Sequence, residues 1–263
     1  MKPAKALVLL TITCLLLPAA LLAEEKPIEQ RSSTVETTSK VVISSGGLGA
    51  EHAKTVEEAV ALLREGKLPE AEAKLNAVVS WFEKIRADKS SNYVCFRKSE
   101  TCRKFENQLR EVKGKADAKP TVRLNYSFAH AIVLQGYIAA ARKEWDTALK
   151  LLDRAIECAP DDASPWCEKG HVLNQTGKSR EALASYENAL KLSGETDYDK
   201  PQRALVLRGM GFAQIELGQL DAAKASFRKS LEIEPGNKLA LSELKYIEGI
   251  EAKKGPPQGA PGE

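Results

Sequence analysis

Cys95, Cys102, Cys158 and Cys167 are the side chains of this sequence best placed to do chemistry, because they lie in two close pairs and thiols can bridge, bind metal or attack. Cys158 and Cys167 flank the short turn Ala159 to Ser164, which could bring them together in a disulfide contributing about 2–3 kcal/mol by loop entropy. Cys95 and Cys102 would stand about 10 Å apart on an unbroken helix, too far for a bond, so pairing them requires a bend near Ser99. Two alternatives stay open. One is buried, unpaired thiols, and the other is thiol redox chemistry at Cys167, whose place near a helix start would lower its pKa if it were free. No C-x-x-C motif occurs. His52, His130 and His171 are widely spaced and no Cys/His set has zinc spacing, so metal catalysis is unsupported. There is no nucleophile elbow, and carboxylates such as Glu57, Glu58, Glu70 and Glu72 fall on solvated helical positions. These residues read as a non-enzymatic chain with no cofactor.

One stretch imitates a nucleotide site. Val41-Val42-Ile43, the run Ser44 to Gly49 and then Lys54-Thr55 look like strand, glycine loop and helix. A phosphate loop needs glycine just before the lysine, where Ala53 stands, and its earlier glycine position is Leu48. No other strand pattern is convincing, so the parallel sheet that would present such a loop is not expected.

The elements that must position any site follow from an internal repeat at offsets of about 34 residues. From Ala129 the chain runs Gly136, Ala148, Leu152, Ala155, Pro160. From Ala163 the same places hold Trp166, Gly170, Leu173, Gly177, Ala182, Tyr186 and Ala189, and from Ala204 they hold Leu207, Gly211, Gly218, Ala223, Phe227, Ser230 and Pro235. Small residues at the eighth and twentieth places let two helices approach closely, and the bulky twenty-fourth fills the gap to the next pair. Gly177 and Gly218 reverse the chain between helices, Pro160 and Pro235 stop the second helix, and Ser164-Pro165 reads as a cap and first helical position. The pattern closely resembles the tetratricopeptide repeat. The resemblance covers roughly residues 52–85 and 129–253 and implies an all-α, right-handed α-solenoid of helix-turn-helix repeats with a C-terminal capping helix.

The boundaries expected are a degenerate repeat at 52–85, a basic connector at 86–128 with a helix from Thr101 to Lys113, repeats at 129–162, 163–196 and 204–237, and a capping helix at 238–253. The seven-residue insertion Asp197 to Arg203 is expected to enlarge a loop. In proteins that this one resembles, the first helices line a concave groove. The resemblance therefore implies a partner surface at the ninth place of successive units, Tyr137, His171, Phe212 and Tyr246, with Asn174, Gln175 and Arg208 supplying hydrogen bonds. The opposing reading is that the rings pack between neighbouring helices. Some family members clamp acidic C-termini with Lys, Asn and Arg, but the corresponding places here hold Val133, Tyr137, Cys167, Glu168 and Leu205, so that clamp is not carried over.

Both ends read as separate from this body. Lys2 and Lys5 precede the apolar run Ala6 to Leu22, a secretory signal pattern with cleavage expected after Ala23, and an uncleaved anchor is the alternative. Residues 24–51 read as a flexible linker and 254–263 as a disordered tail. Lys+Arg number 39 against Asp+Glu 36, so no single-signed field exists to hold nucleic acid, and no membrane insertion is expected after cleavage. The expected partner is a protein or peptide. The expected place is outside the cytoplasm, the periplasm of a Gram-negative bacterium first and secretion second. The expected role is an assembly factor for an envelope or secretion complex, with a thiol-linked redox or enzyme-accessory factor as the alternative.

Overall fold

The computed structural model describes residues 41–42, 47–111, 119–196 and 199–254, so the expected signal, most of the linker and the tail lie outside the described residues. The described chain is built from helical hairpins in the order β1 (Val41–Val42), α1 (His52–Arg64), α2 (Leu68–Arg86), β2 (Asn92–Cys95), α3 (Ser99–Glu111), β3 (Thr121–Leu124), α4 (Ser127–Ala141), α5 (Trp145–Cys158), α6 (Ser164–Gln175), α7 (Ser179–Leu192), α8 (Lys200–Glu216), α9 (Leu220–Ile233) and α10 (Lys238–Lys254). It divides into two compact units that meet in the sequence between Lys169 and Gly170.

Four hairpins close with the same pair of backbone bonds, the Schellman pattern that satisfies carbonyls left open at a helix end. Gly66 and Lys67 donate to Leu63 and Leu62, Lys143 and Glu144 to Ala140 and Ala139, Gly177 and Lys178 to Asn174 and Leu173, and Gly218 and Gln219 to Ile215 and Gln214. The reversing residue is left-handed each time, with φ of 75°, 63°, 74° and 73°. Three of the four are glycine. Lys143 holds the same conformation with a Cβ, which costs about 1–2 kcal/mol in a left-handed residue.

In the first unit α1 pairs with α2, α4 with α5, and α2 packs on α4. Leu75, Phe82, Phe128, Ile132, Leu134 and Leu152 are fully buried between them. His52, Trp81, Phe82 and Phe128 form a chain of ring contacts, with centroids 4.6 Å apart for His52–Trp81 and 4.9 Å for Phe82–Phe128. In the second unit α7 packs on α8, α8 on α9 and α9 on α10. Tyr186, the bulky residue of its repeat, lies with its ring against both Gly170 and Gly209.

The structure departs from the sequence expectation in several places. A three-stranded sheet of order β1-β3-β2 stands where no parallel sheet was expected, with Asn92 opposite Thr121 and Cys95 opposite Leu124. Parallel neighbours need a crossover of a dozen or more residues, and α3 between β2 and β3 supplies it. The connector helix begins at Ser99 rather than Thr101 and is described as far as Glu111. The insertion before the last repeat does not simply lengthen a loop, because Lys200 to Arg203 form the first turn of α8 with Pro201 near its start. At α6 the Ser164 N–H is taken by the Asp162 carboxylate, 2.9 Å away, a capping role that the Ser-Pro signal did not reveal. At α10 the Asn237 side chain accepts the Ala240 N–H at 3.1 Å.

Candidate functional site

The side chains expected to face a partner are spread over four first helices. Tyr137 lies on α4 in the first unit, half-buried, and its phenol is pushed up by burial and then by the Glu168 carboxylate. The other six lie in the second unit. On α6, His171 is 6% exposed and burial lowers it to about 4, while its ring nitrogen meets Gln175 Nε2 at 3.4 Å. Asn174 Nδ2 donates to the Gly209 carbonyl at 3.4 Å, and its Oδ1 is buried without a hydrogen-bond partner. On α8, the buried Arg208 donates to Glu234 Oε2 at 2.6 Å, and Asn237 donates to the same oxygen at 3.0 Å.

The rings separate into two kinds. Phe212 is 5% exposed and meets Phe227 edge-on with centroids 5.4 Å apart, so it packs between α8 and α9. Tyr246 on α10 is 41% exposed, and Leu241 on the same helix, which was not among the expected contacts, is 49% exposed. On α10 the buried face is Ala240, Glu243 and Ile247, spaced three and four apart, and Leu241 and Tyr246 flank it on either side. Glu243 stands out within that face, because burial pushes its carboxyl above the ordinary range. The helical spacing of Ala240, Glu243 and Ile247 is the signal that would have found both flanking residues.

All four described cysteines are free thiols, so the structure contains neither the Cys158–Cys167 nor the Cys95–Cys102 bridge. Local partners explain the second absence. Arg123 donates to Cys102 Sγ at 3.0 Å and the Cys102 thiol donates to Glu106 at 3.2 Å, while the Cys95 thiol donates to the Asn125 carbonyl at 3.6 Å. Burial pushes the Cys95, Cys102 and Cys158 thiols up, and at Cys158 the Arg86 and Arg154 guanidiniums pull the other way.

The glycine stretch does lead from a strand of a parallel sheet into a helix, which the sequence reading excluded. Backbone groups of its described part are already committed. Leu48 donates to Arg123 O and accepts from Asn125 N, at 2.8 and 2.9 Å, and His52 donates to Gly49 O. A Cβ on Gly47 would lie 2.8 Å from Asn125 N, and one on Gly49 2.5 Å from the Phe82 ring. Gly47 and Gly49 therefore let the chain lie on β3 and on the rings, and the Leu48 and His52 amides are spent on backbone carbonyls.

A buried polar latch completes the first unit. Asp161 accepts the N–H groups of Arg97 and Lys98 at 2.9 and 2.8 Å. The Asp162 carboxylate, wholly buried, accepts from the Tyr126 hydroxyl at 2.6 Å and pairs with Arg97 at 3.4 Å. Among the described residues no group of His, Cys, Asp and Glu could hold a metal ion, and no helix is long and apolar enough to cross a membrane.

Two family models, each described as tetratricopeptide repeat, match this chain, one over residues 161–234 and one over residues 114–163. Among curated proteins the chain is similar to Protein CTR9 homolog of Arabidopsis thaliana, 28% identical over 126 residues, 46% of this chain and 11% of that protein. It is also similar to Heat shock protein STI1 of Saccharomyces cerevisiae, 28% identical over 114 residues, 43% of this chain and 18% of that protein. The chain thus spans less than a fifth of the length of either. Among solved structures, the second TPR domain of human RPAP3 in complex with an HSP70 peptide aligns over 46% of this chain and 98% of that domain, with 24% identity and a TM-score of 0.40.

Proposed function

From tetratricopeptide repeats carried across residues 114–234, we propose that this chain is a non-enzymatic scaffold that binds a protein or peptide along the first helices of its repeats. The observation that carries the proposal is the pair of exposed apolar side chains on α10, Leu241 and Tyr246, on the helix that ends the second unit. Large apolar groups left in water at the rim of a packed helix offer contact area to an apolar or amphipathic segment. Tyr246 occupies the ninth place of its repeat.

The partner is a polypeptide recognised by shape and apolar contact, since Lys+Arg 39 against Asp+Glu 36 leaves little net field to steer charged ligands. The basic and then apolar N-terminal run supports export, to the periplasm of a Gram-negative bacterium or beyond the cell. Service as an assembly factor for an envelope or secretion complex accords with both.

A photo-crosslinker placed at Tyr246, followed by mass spectrometry of the products formed in cells, tests the proposal. A discrete polypeptide adduct, lost when Leu241→Asp is added without a change in helicity, is the expected result. The same adducts with a crosslinker at exposed Lys150 would sink it. Phe212→Ala is not a clean probe, because its ring belongs to the packing between α8 and α9.

A further inference from the structure

We propose that Cys95 and Cys158 are a disulfide-forming pair, which under oxidising conditions ties the end of β2 to the end of α5. Neither spacing nor sequence order suggests this partnership. It follows from the polar latch, which holds two distant stretches side by side. Asp161 binds the backbone N–H groups of Arg97 and Lys98 at 2.9 and 2.8 Å, so the chain just after Cys95 lies against the chain just after Cys158. The Arg97–Asp162 ion pair at 3.4 Å reinforces the same junction.

Both thiols also border the first turn of α4. Cys95 Sγ lies 3.6 Å from the Asn125 carbonyl, immediately before that turn. Cys158 closes α5, which runs antiparallel to α4, and Arg154, one turn earlier on α5, stands over the Phe128 ring at 5.8 Å. Arg86 covers the same ring at 5.4 Å. Burial first, and then Cys158, push the Cys95 thiol up. The other thiols have different surroundings, since Cys102 is held by Arg123 and Glu106.

The chemistry needs a disulfide oxidant of low molecular weight, and oxidised glutathione serves. Cys158 is the less buried of the two and acts first. Its thiolate attacks one sulfur of the oxidant, the oxidant's S–S bond breaks, and one glutathione thiolate departs. Cys95 then attacks the Cys158 sulfur and expels the second glutathione thiolate, which takes up the Cys95 proton as it leaves. Two protein thiols have lost two electrons in all, and one oxidised glutathione has become two thiols. Arg86 and Arg154 favour the first step by stabilising the Cys158 thiolate.

The test uses the full chain, equilibrated with oxidised glutathione, alkylated, and cut without reduction. Trypsin alone leaves Cys158 and Cys167 on one peptide, so an Asp-specific protease is added to cut before Asp161. The expected product is the peptide Ser90–Arg97 linked to Ala155–Pro160, formed equally well in Cys167→Ser and abolished in Cys158→Ser. The oxidised chain should also melt several degrees higher than the reduced chain, a gain kept by Cys167→Ser and lost in Cys158→Ser. A Cys158–Cys167 or Cys95–Cys102 linkage, a glutathione adduct left on Cys158 beside alkylated Cys95, or alkylation of both Cys95 and Cys158 would each overturn the proposal.

Discussion

His171 shows how burial of one group becomes a property of the whole fold. Its ring is closed off on α6, and desolvation lowers its pKa to about 4 from an ordinary value of 6.5. Between those values the unfolded chain binds a proton that the folded chain does not, so stability is fully present above pH 6.5 and falls as pH drops toward 4. Lowering the pH from 6.5 to 5 should cost about 2 kcal/mol through this residue. Urea unfolding measured against pH should show that loss, and His171→Gln should flatten the curve over the same interval by close to one proton. Asp162 is the other residue on which much depends. Its buried carboxylate pairs with Arg97 and also accepts from the Tyr126 hydroxyl and the Ser164 N–H. Asp162→Ala should therefore cost about 2–3 kcal/mol, because it removes the acceptor of the Tyr126 hydroxyl and the Ser164 N–H and the carboxylate that Arg97 pairs with. Tyr126→Phe, which removes a single hydrogen bond, should cost about 1 kcal/mol in the same denaturation assay.

The hairpin is the element on which the repeat is written, and its closing residue and its narrow point carry separate predictions. Lys143 occupies the left-handed position that glycine holds in the three other hairpins, with φ of 63°. Lys143→Gly should raise stability by about 0.5–1 kcal/mol, the relief of strain exceeding the added freedom of the unfolded chain, as a shift in the urea midpoint. Gly211 marks the narrow point between α8 and α9, where a Cβ would lie 2.6 Å from the Phe227 ring. Gly211→Ala should cost about 1–3 kcal/mol by overpacking, whereas Gly249→Ala, on α10 with open space around it, should gain about 1 kcal/mol from helix propensity. The glycine at 211 was legible as a packing position because it recurs at the eighth place. The strands β2 and β3 were not legible. Each has four residues, Asn-Tyr-Val-Cys and Thr-Val-Arg-Leu, too short to show alternation, and each gains its identity only by pairing with the other across a helix.

At the scale of the whole molecule, a chain with net charge of only +3 should associate with its partner without strong electrostatic steering. Raising ionic strength from about 0.05 to 0.5 M should change the association rate by less than about threefold, measured with the crosslinked partner once it is in hand. The helical class, the hairpin repeat and the closing glycines were determined by the sequence alone, because a periodic pattern of small and apolar side chains acts within a few turns of helix and its neighbour. Which members of the ring series meet water was decided only by the tertiary structure. Phe212 and Tyr246 share a repeat position, yet one is covered by Phe227 and the other lies on the last helix and is 41% exposed. The meeting of the stretch after Cys95 with the stretch after Cys158 was decided in the same way. It depends on Asp161 reaching the backbone of Arg97 and Lys98, more than sixty residues away, and local periodicity carries no information about contacts at that separation.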